Sequence, residues 1–165
     1  MTKQLRDSFD ASIPLGTVIF RSWASMKNGV MAWLVYLNAL YLAGFFFLDH
    51  AEAVWALISY ASIGPIIVVM FVSQRGLTRL AGLIHIPWLC YLIYLALRLF
   101  TDSAGASSPT GGLFDYWIQM VFWSTLVCVA FDIWDVYRWT FKHERYVLGT
   151  PAAAAADASK LARQE

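Results

Sequence analysis

The sequence predicts an all-α membrane protein: a bundle of four transmembrane helices, both termini cytoplasmic, with a short interfacial helix before the first span. Three observations carry this reading. Hydrophobic residues make up 59% of the 165 and charged residues only 14%, against roughly 25% charged in an ordinary soluble domain. A chain this short has no core large enough to hide that much apolar surface. Four windows then reach the roughly 20 apolar residues needed to cross a bilayer, and the basic residues fall almost wholly on one side of those windows.

Taken in order, residues 1–11 are polar, and Ser12 and Pro14 form a helix-start signal. In the stretch 15–27, Leu15, Val18, Ile19, Trp23 and Met26 recur near one face, while Arg21, Ser25 and Lys27 fall elsewhere. That division suits a helix lying in the cytoplasmic membrane interface. The spans are expected at 29–48, 54–73, 80–100 and 113–134, and the first three contain no acidic residue. Lipid satisfies no backbone group, so long apolar runs without strand-like alternation mean helices. Gly64-Pro65 in the second span should kink it, and Ser59 and Ser62 can take up backbone groups freed there.

The connections 49–53 and 74–79 are short, and 101–112 is rich in Gly, Ser and Pro. Sequential spans should therefore be antiparallel neighbours. The chain divides into a cytoplasmic N-terminal segment, 1–28, a bundle with a cytoplasmic extension of its last helix, 29–149, and a weakly ordered tail, 150–165. Ala51-Glu52-Ala53 has the look of a cleavage site. The run before it, however, is longer than the roughly 7–15-residue core of a signal peptide and rich in bulky aromatics, so the first span is read as retained.

Orientation rests on twelve Lys and Arg residues. Lys3, Arg6, Arg21 and Lys27 precede the first span. Arg75 and Arg79 lie between the second and third. Arg138, Lys142, Arg145, Lys160 and Arg163 follow the fourth. Only Arg98 lies toward the other side, where the connections hold Asp49, Glu52 and Asp102. Basic residues mark the cytoplasmic face, and a bacterial inner membrane is the expected location. Eight Trp suit two aromatic interface belts. A net charge of +1 supplies no basic stripe for nucleic acid.

Inside a bilayer the polar residues are the informative ones. Asn38, His85 and Asp132 are the intramembrane candidates. His85 lies about five residues into the third span and Asp132 within a turn of the cytoplasmic end of the fourth. The two helices run in opposite directions, so a His85–Asp132 contact is allowed if they are neighbours. It could staple the helices or hold a proton or ligand. Asn38 either fixes packing or lines a polar cavity with His85. Arg98 and Asp115 are expected to form an ion pair near the outer face. Asp132, Asp135 and Arg138 share one helix face. With His143 nearby, Asp135 and Arg138 offer a cytoplasmic docking face or a solvated helix end. Cys90 and Cys128 read as small buried hydrophobes. Asp49, His50 and Glu52 form an acidic outer turn, a weak candidate for a divalent ion.

No Lys lies at mid-membrane depth for a retinal Schiff base, and no H-E-x-x-H, G-x-S-x-G, P-loop or dinucleotide fingerprint occurs. No catalytic residue, metal or cofactor is assigned. The leading expectation is a non-enzymatic structural or accessory subunit in the lipid bilayer, packing against itself as a homo-oligomer or against a partner membrane protein. Two alternatives stay open. One is an oligomeric transporter or proton/ion channel with a polar centre at His85, Asp132 and Asn38. The other is a haem- or quinone-linked redox protein using His85 and Trp88.

Overall fold

A computed structural model describes residues 14–24, 26–74, 76–100, 112–144 and 162. The expectations for the N-terminal arm, most of the third connection, Arg145 and the tail lie outside the described residues. Four helices are long and apolar enough to cross a membrane: Asn28–Phe47, Ala51–Gln74, Arg79–Phe100 and Leu113–Phe141. They match the four predicted windows, and the fourth runs seven residues past its predicted end at 134.

Ahead of them lies α1 (Leu15–Ala24). It rests Val18 and Ser22 against the chain between the second and third spans. The Ser22 hydroxyl donates to Val18 O at 2.8 Å and accepts the Leu77 N–H at 3.4 Å. Trp23, on the apolar face the sequence assigned to the membrane interface, is exposed, and the neighbouring Ser22 is buried.

Two of the spans change helix type along their length and one is interrupted. The first is α2 (Asn28–Leu42) tightening into a 3-10 segment, Ala43–Phe47. The second breaks at Ser62 into α3 (Ala51–Ala61) and α4 (Ile63–Gln74). Pro65 has no N–H to offer the preceding turn, so the α-ladder is interrupted there. The Ser62 hydroxyl bonds Ile58 O at 2.7 Å and Ser59 O at 3.0 Å, and Ser59 bonds Ala56 O. These hydroxyls bond carbonyls one turn back on their own helix. The carbonyl deprived of its partner by Pro65 is that of Ala61, which neither serine bonds, so the expected compensation is not made by them. The third span opens as a 3-10 segment, Arg79–His85, and continues as α5 (Ile86–Phe100). Pro87 sits in the first turn of α5, where its missing N–H is harmless, and the Ile86 N–H closes an i+3 bond to Leu83 O. The fourth span is one helix, α6 (Leu113–Phe141).

Each span touches the next, and the fourth returns to the first, closing the bundle. The first and fourth are stitched by side chains. Tyr36 pairs with Ser124 at 2.9 Å and Tyr41 with Thr125 at 2.8 Å, while the Trp117 indole donates to Leu40 O at 2.9 Å. Trp117 comes this close because Gly44 has no Cβ; one would stand 3.2 Å from the ring. Outward faces are mostly apolar, with Phe46, Trp55, Val69 and Phe131 among the exposed residues, and Asn38 and Gln119 are exposed among them.

Candidate functional site

The tightest approach in the bundle is between the 3-10 segment Arg79–His85 and α6. A Cβ on Gly82 would lie 2.7 Å from Asp132 O and 3.1 Å from Asp132 Cα and Cβ. Only glycine lets the two backbones meet at that point. One turn further on, His85 Nδ1 lies 2.8 Å from Asp132 Oδ2. The contact that opposed helix directions allowed is therefore made. His85 is six residues into its segment, about 12 Å along the axis at roughly 2 Å per 3-10 residue. Asp132 is nine residues before the end of α6, about 13 Å at roughly 1.5 Å per residue. These matched distances from one end of the bundle let the pair form.

Cys128 completes the group. It stands one helical turn before Asp132, so the two side chains share a face of α6. Its Sγ is 3.8 Å from Asp132 Oδ2. The His85, Cys128 and Asp132 donor atoms all lie within 4.8 Å of one another. Aromatic rings wall the other side. His85 stacks on Trp88 at 4.5 Å, Trp88 on Tyr41 at 4.5 Å with planes 3° apart, and Tyr41 on Tyr60 at 5.7 Å. Asn38 sits at the far end of that stack. It accepts a hydrogen bond from the Tyr60 hydroxyl and donates to Leu34 O at 2.7 Å. Its observed partners thus put it beyond the stack, away from the His85 group.

At the opposite end of the bundle a second buried acid meets a base. Arg98 Nε donates to Glu52 Oε1 at 2.6 Å, with 25% and 9% of their side chains exposed, and the Tyr91 hydroxyl donates to Glu52 O at 2.9 Å. The sequence assigned Asp115 to Arg98. In the structure Asp115 Oδ2 accepts the Gly112 N–H at 3.3 Å, capping α6, and the acid on Arg98 is Glu52. The outer Asp49–His50–Glu52 turn is divided accordingly, because the His50 ring stacks on Phe114 with centroids 3.7 Å apart.

The proposed docking face is drawn inward. Asp135 pairs with Arg79, Arg138 NH2 meets Glu144 Oε2 at 2.6 Å, and Arg79 Nε lies 3.2 Å from the same oxygen. His143 adopts φ 54°, a left-handed conformation in which His is among the commoner non-glycine residues. It turns the chain back so that Glu144 can reach both arginines. Of the three docking candidates His143 is exposed, and the Asp135 side chain, 43% exposed, is open to solvent beside Arg79.

Sequence reasoning missed Cys128 and Glu52 as polar partners and Gly82 as the spacer. The four-residue interval from Cys128 to Asp132 was the available signal for the first. Cys128 is buried, as expected for a small hydrophobe, but Cys90 is exposed. It lines a surface groove of about 360 Å³ with Trp55, Ile58 and Pro87 beside the break in the second span. No family model, curated protein or solved structure matches the chain.

Proposed function

We propose that this chain is a multi-pass inner-membrane protein, with both termini cytoplasmic, that binds and passes a small cation at the His85–Asp132 centre. The observation that carries this reading is the 2.8 Å His85–Asp132 contact held between two spans. An ionisable pair kept inside a bilayer is costly, and such pairs mark ion and proton routes in membrane proteins. Four spans enclose little space of their own, so a translocation path requires an oligomer. The end of the bundle carrying Arg79 and Arg138 is its cytoplasmic face.

Reconstituted proteoliposomes test the reading directly. Cation flux across a panel of monovalent and divalent ions should be measurable with the unaltered chain. His85→Gln and Asp132→Asn should each remove it, while Asn38→Ala should retain it. Flux unchanged by either centre substitution would overturn the reading. Reporter fusions after residues 50 and 106 should read periplasmic, and fusions at residue 77 and at the C-terminus cytoplasmic.

A second reading, an accessory subunit packed against a partner, is favoured by α4. It exposes Val68, Val69 and Val72 to 60–65% and buries only Phe71. Extraction in a mild detergent separates the readings: a stoichiometric second membrane protein in the particle supports the subunit, and a homo-oligomer supports the cation path.

A further inference from the structure

We propose that His85 Nδ1, Cys128 Sγ and Asp132 Oδ2 are the protein ligands of a single borderline divalent transition ion of the zinc class. The inference deepens the cation-binding reading above and rests on it. The donor set comes first. One imidazole nitrogen, one thiol sulfur and one carboxylate oxygen converge within 4.8 Å. Nitrogen and sulfur ligands favour zinc and its neighbours over magnesium or calcium, which take all-oxygen sites.

Geometry comes second. Metal–ligand lengths of about 2.0–2.3 Å imply tetrahedral edges of roughly 3.3–3.6 Å between ligand atoms. The His85–Asp132 and Cys128–Asp132 separations are 2.8 and 3.8 Å, one slightly below that range and one slightly above. The widest donor separation is no more than 4.8 Å, so taking up the ion requires the His85 and Cys128 side chains to close by up to about 1.5 Å. Cys128 and Asp132 are spaced by one turn of an unbroken helix, and the Gly82 approach presents His85 to them from the other side.

Charge decides the oxidation class. A divalent ion with one thiolate, one carboxylate and a neutral imidazole sums to zero, the only balance that a low-dielectric interior tolerates well. Binding then releases the Cys128 thiol proton, and any proton held on His85. The nearby guanidiniums of Arg79 and Arg138 are matched by Asp135 and Glu144, so they do not upset that sum. Three protein ligands leave a fourth position for water or solute, the open arrangement of exchangeable sites. Trp88 lies in the layer stacked on His85, is 3% exposed, and has no acceptor for its indole N–H among the described residues. A solvent-derived fourth ligand is a group that such a donor would bond.

The test uses full-length protein purified in detergent with any affinity tag removed. After chelator treatment it is titrated with Co²⁺ alone. The expected result is one equivalent per chain, an intense tetrahedral visible spectrum, a sulfur-to-cobalt charge-transfer band in the near ultraviolet, and displacement by Zn²⁺ but not by Mg²⁺. Cys128→Ser should abolish the charge-transfer band and weaken binding by at least about tenfold, the lower end of what even outer-shell changes cost. His50→Ala and His143→Ala should leave both intact. Absence of binding, or binding without the sulfur band and indifferent to Cys128→Ser, overturns the proposal. Should Cys128→Ser fold poorly, His85→Gln is read the same way, with loss of the tetrahedral spectrum as its signature. Cation flux that depends on His85 without Co²⁺ binding refutes the metal site alone. Specific Co²⁺ binding without flux refutes the transport reading alone.

Discussion

The His85–Asp132 pair toward one end of the bundle and the Arg98–Glu52 pair at the other have nearly equal sequence separation, and they differ in what they leave available. The guanidinium of Arg98 has donors only and stays charged at any accessible pH. Its pair with Glu52 is therefore closed: two opposite charges cancel, and the basic partner has no lone pair with which to bind an ion. His85 has a nitrogen that either donates or ligates, and Asp132 is joined by the Cys128 sulfur. That end is chemically open. The lesson is that burial of charge alone does not distinguish a structural pair from a working one. The distinction lies in whether the basic partner can also act as a ligand, and in which third group stands beside the acid.

Breaking the closed pair should cost the most. Glu52→Ala leaves Arg98 without its buried acid and should destabilise by about 3 kcal/mol, the low end for a broken buried pair because part of Arg98 remains exposed. Thermal unfolding in detergent measures it. The double replacement Glu52→Leu with Arg98→Met should recover most of that loss, since matched apolar residues often substitute for a buried pair without penalty. A double variant as unstable as the single one would mean that the pair contributes more than charge cancellation.

Gly82→Ala attacks the open centre through its backbone. The added methyl meets Asp132 O at 2.7 Å, and overpacking of this kind costs about 1–3 kcal/mol. The same change should separate His85 from Asp132, so it should also weaken Co²⁺ binding. A stability loss with unaltered binding would show that the glycine serves packing alone. The His85→Ala and Asp132→Ala losses should be non-additive by about 1–2 kcal/mol, as for residues in direct contact. Additive losses would remove the contact from the energetics of the bundle. Smallest of all is Asn38→Ala, expected at about 0.6 kcal/mol, the average for a side-chain hydrogen bond between membrane helices. Its effect should also be additive with that of His85→Ala, because Asn38 bonds Tyr60 and Leu34 instead of the centre.

The four spans and their limits were legible in the sequence because a membrane span is a local property: some twenty apolar residues must follow one another, and lipid then demands a helix. The break in the second span, marked by Gly64-Pro65, was local in the same way. Even the His85–Asp132 contact could be anticipated, since opposed helices put residues at equal depth within reach. Tertiary structure alone decided the lateral pairings. Glu52 and Asp115 lie toward the same end of the bundle, and composition cannot choose which of them meets Arg98. The choice depends on how α3 and α5 are rotated against each other, and spans that are apolar on every side carry no stripe to set that rotation. The same is true of Cys128, which is an ordinary small apolar residue until Gly82 brings a histidine to its face of α6. It is true also of Asp135 and Arg138, whose charges read as a surface for another protein until Arg79 and Glu144 arrive from elsewhere in the chain to neutralise them.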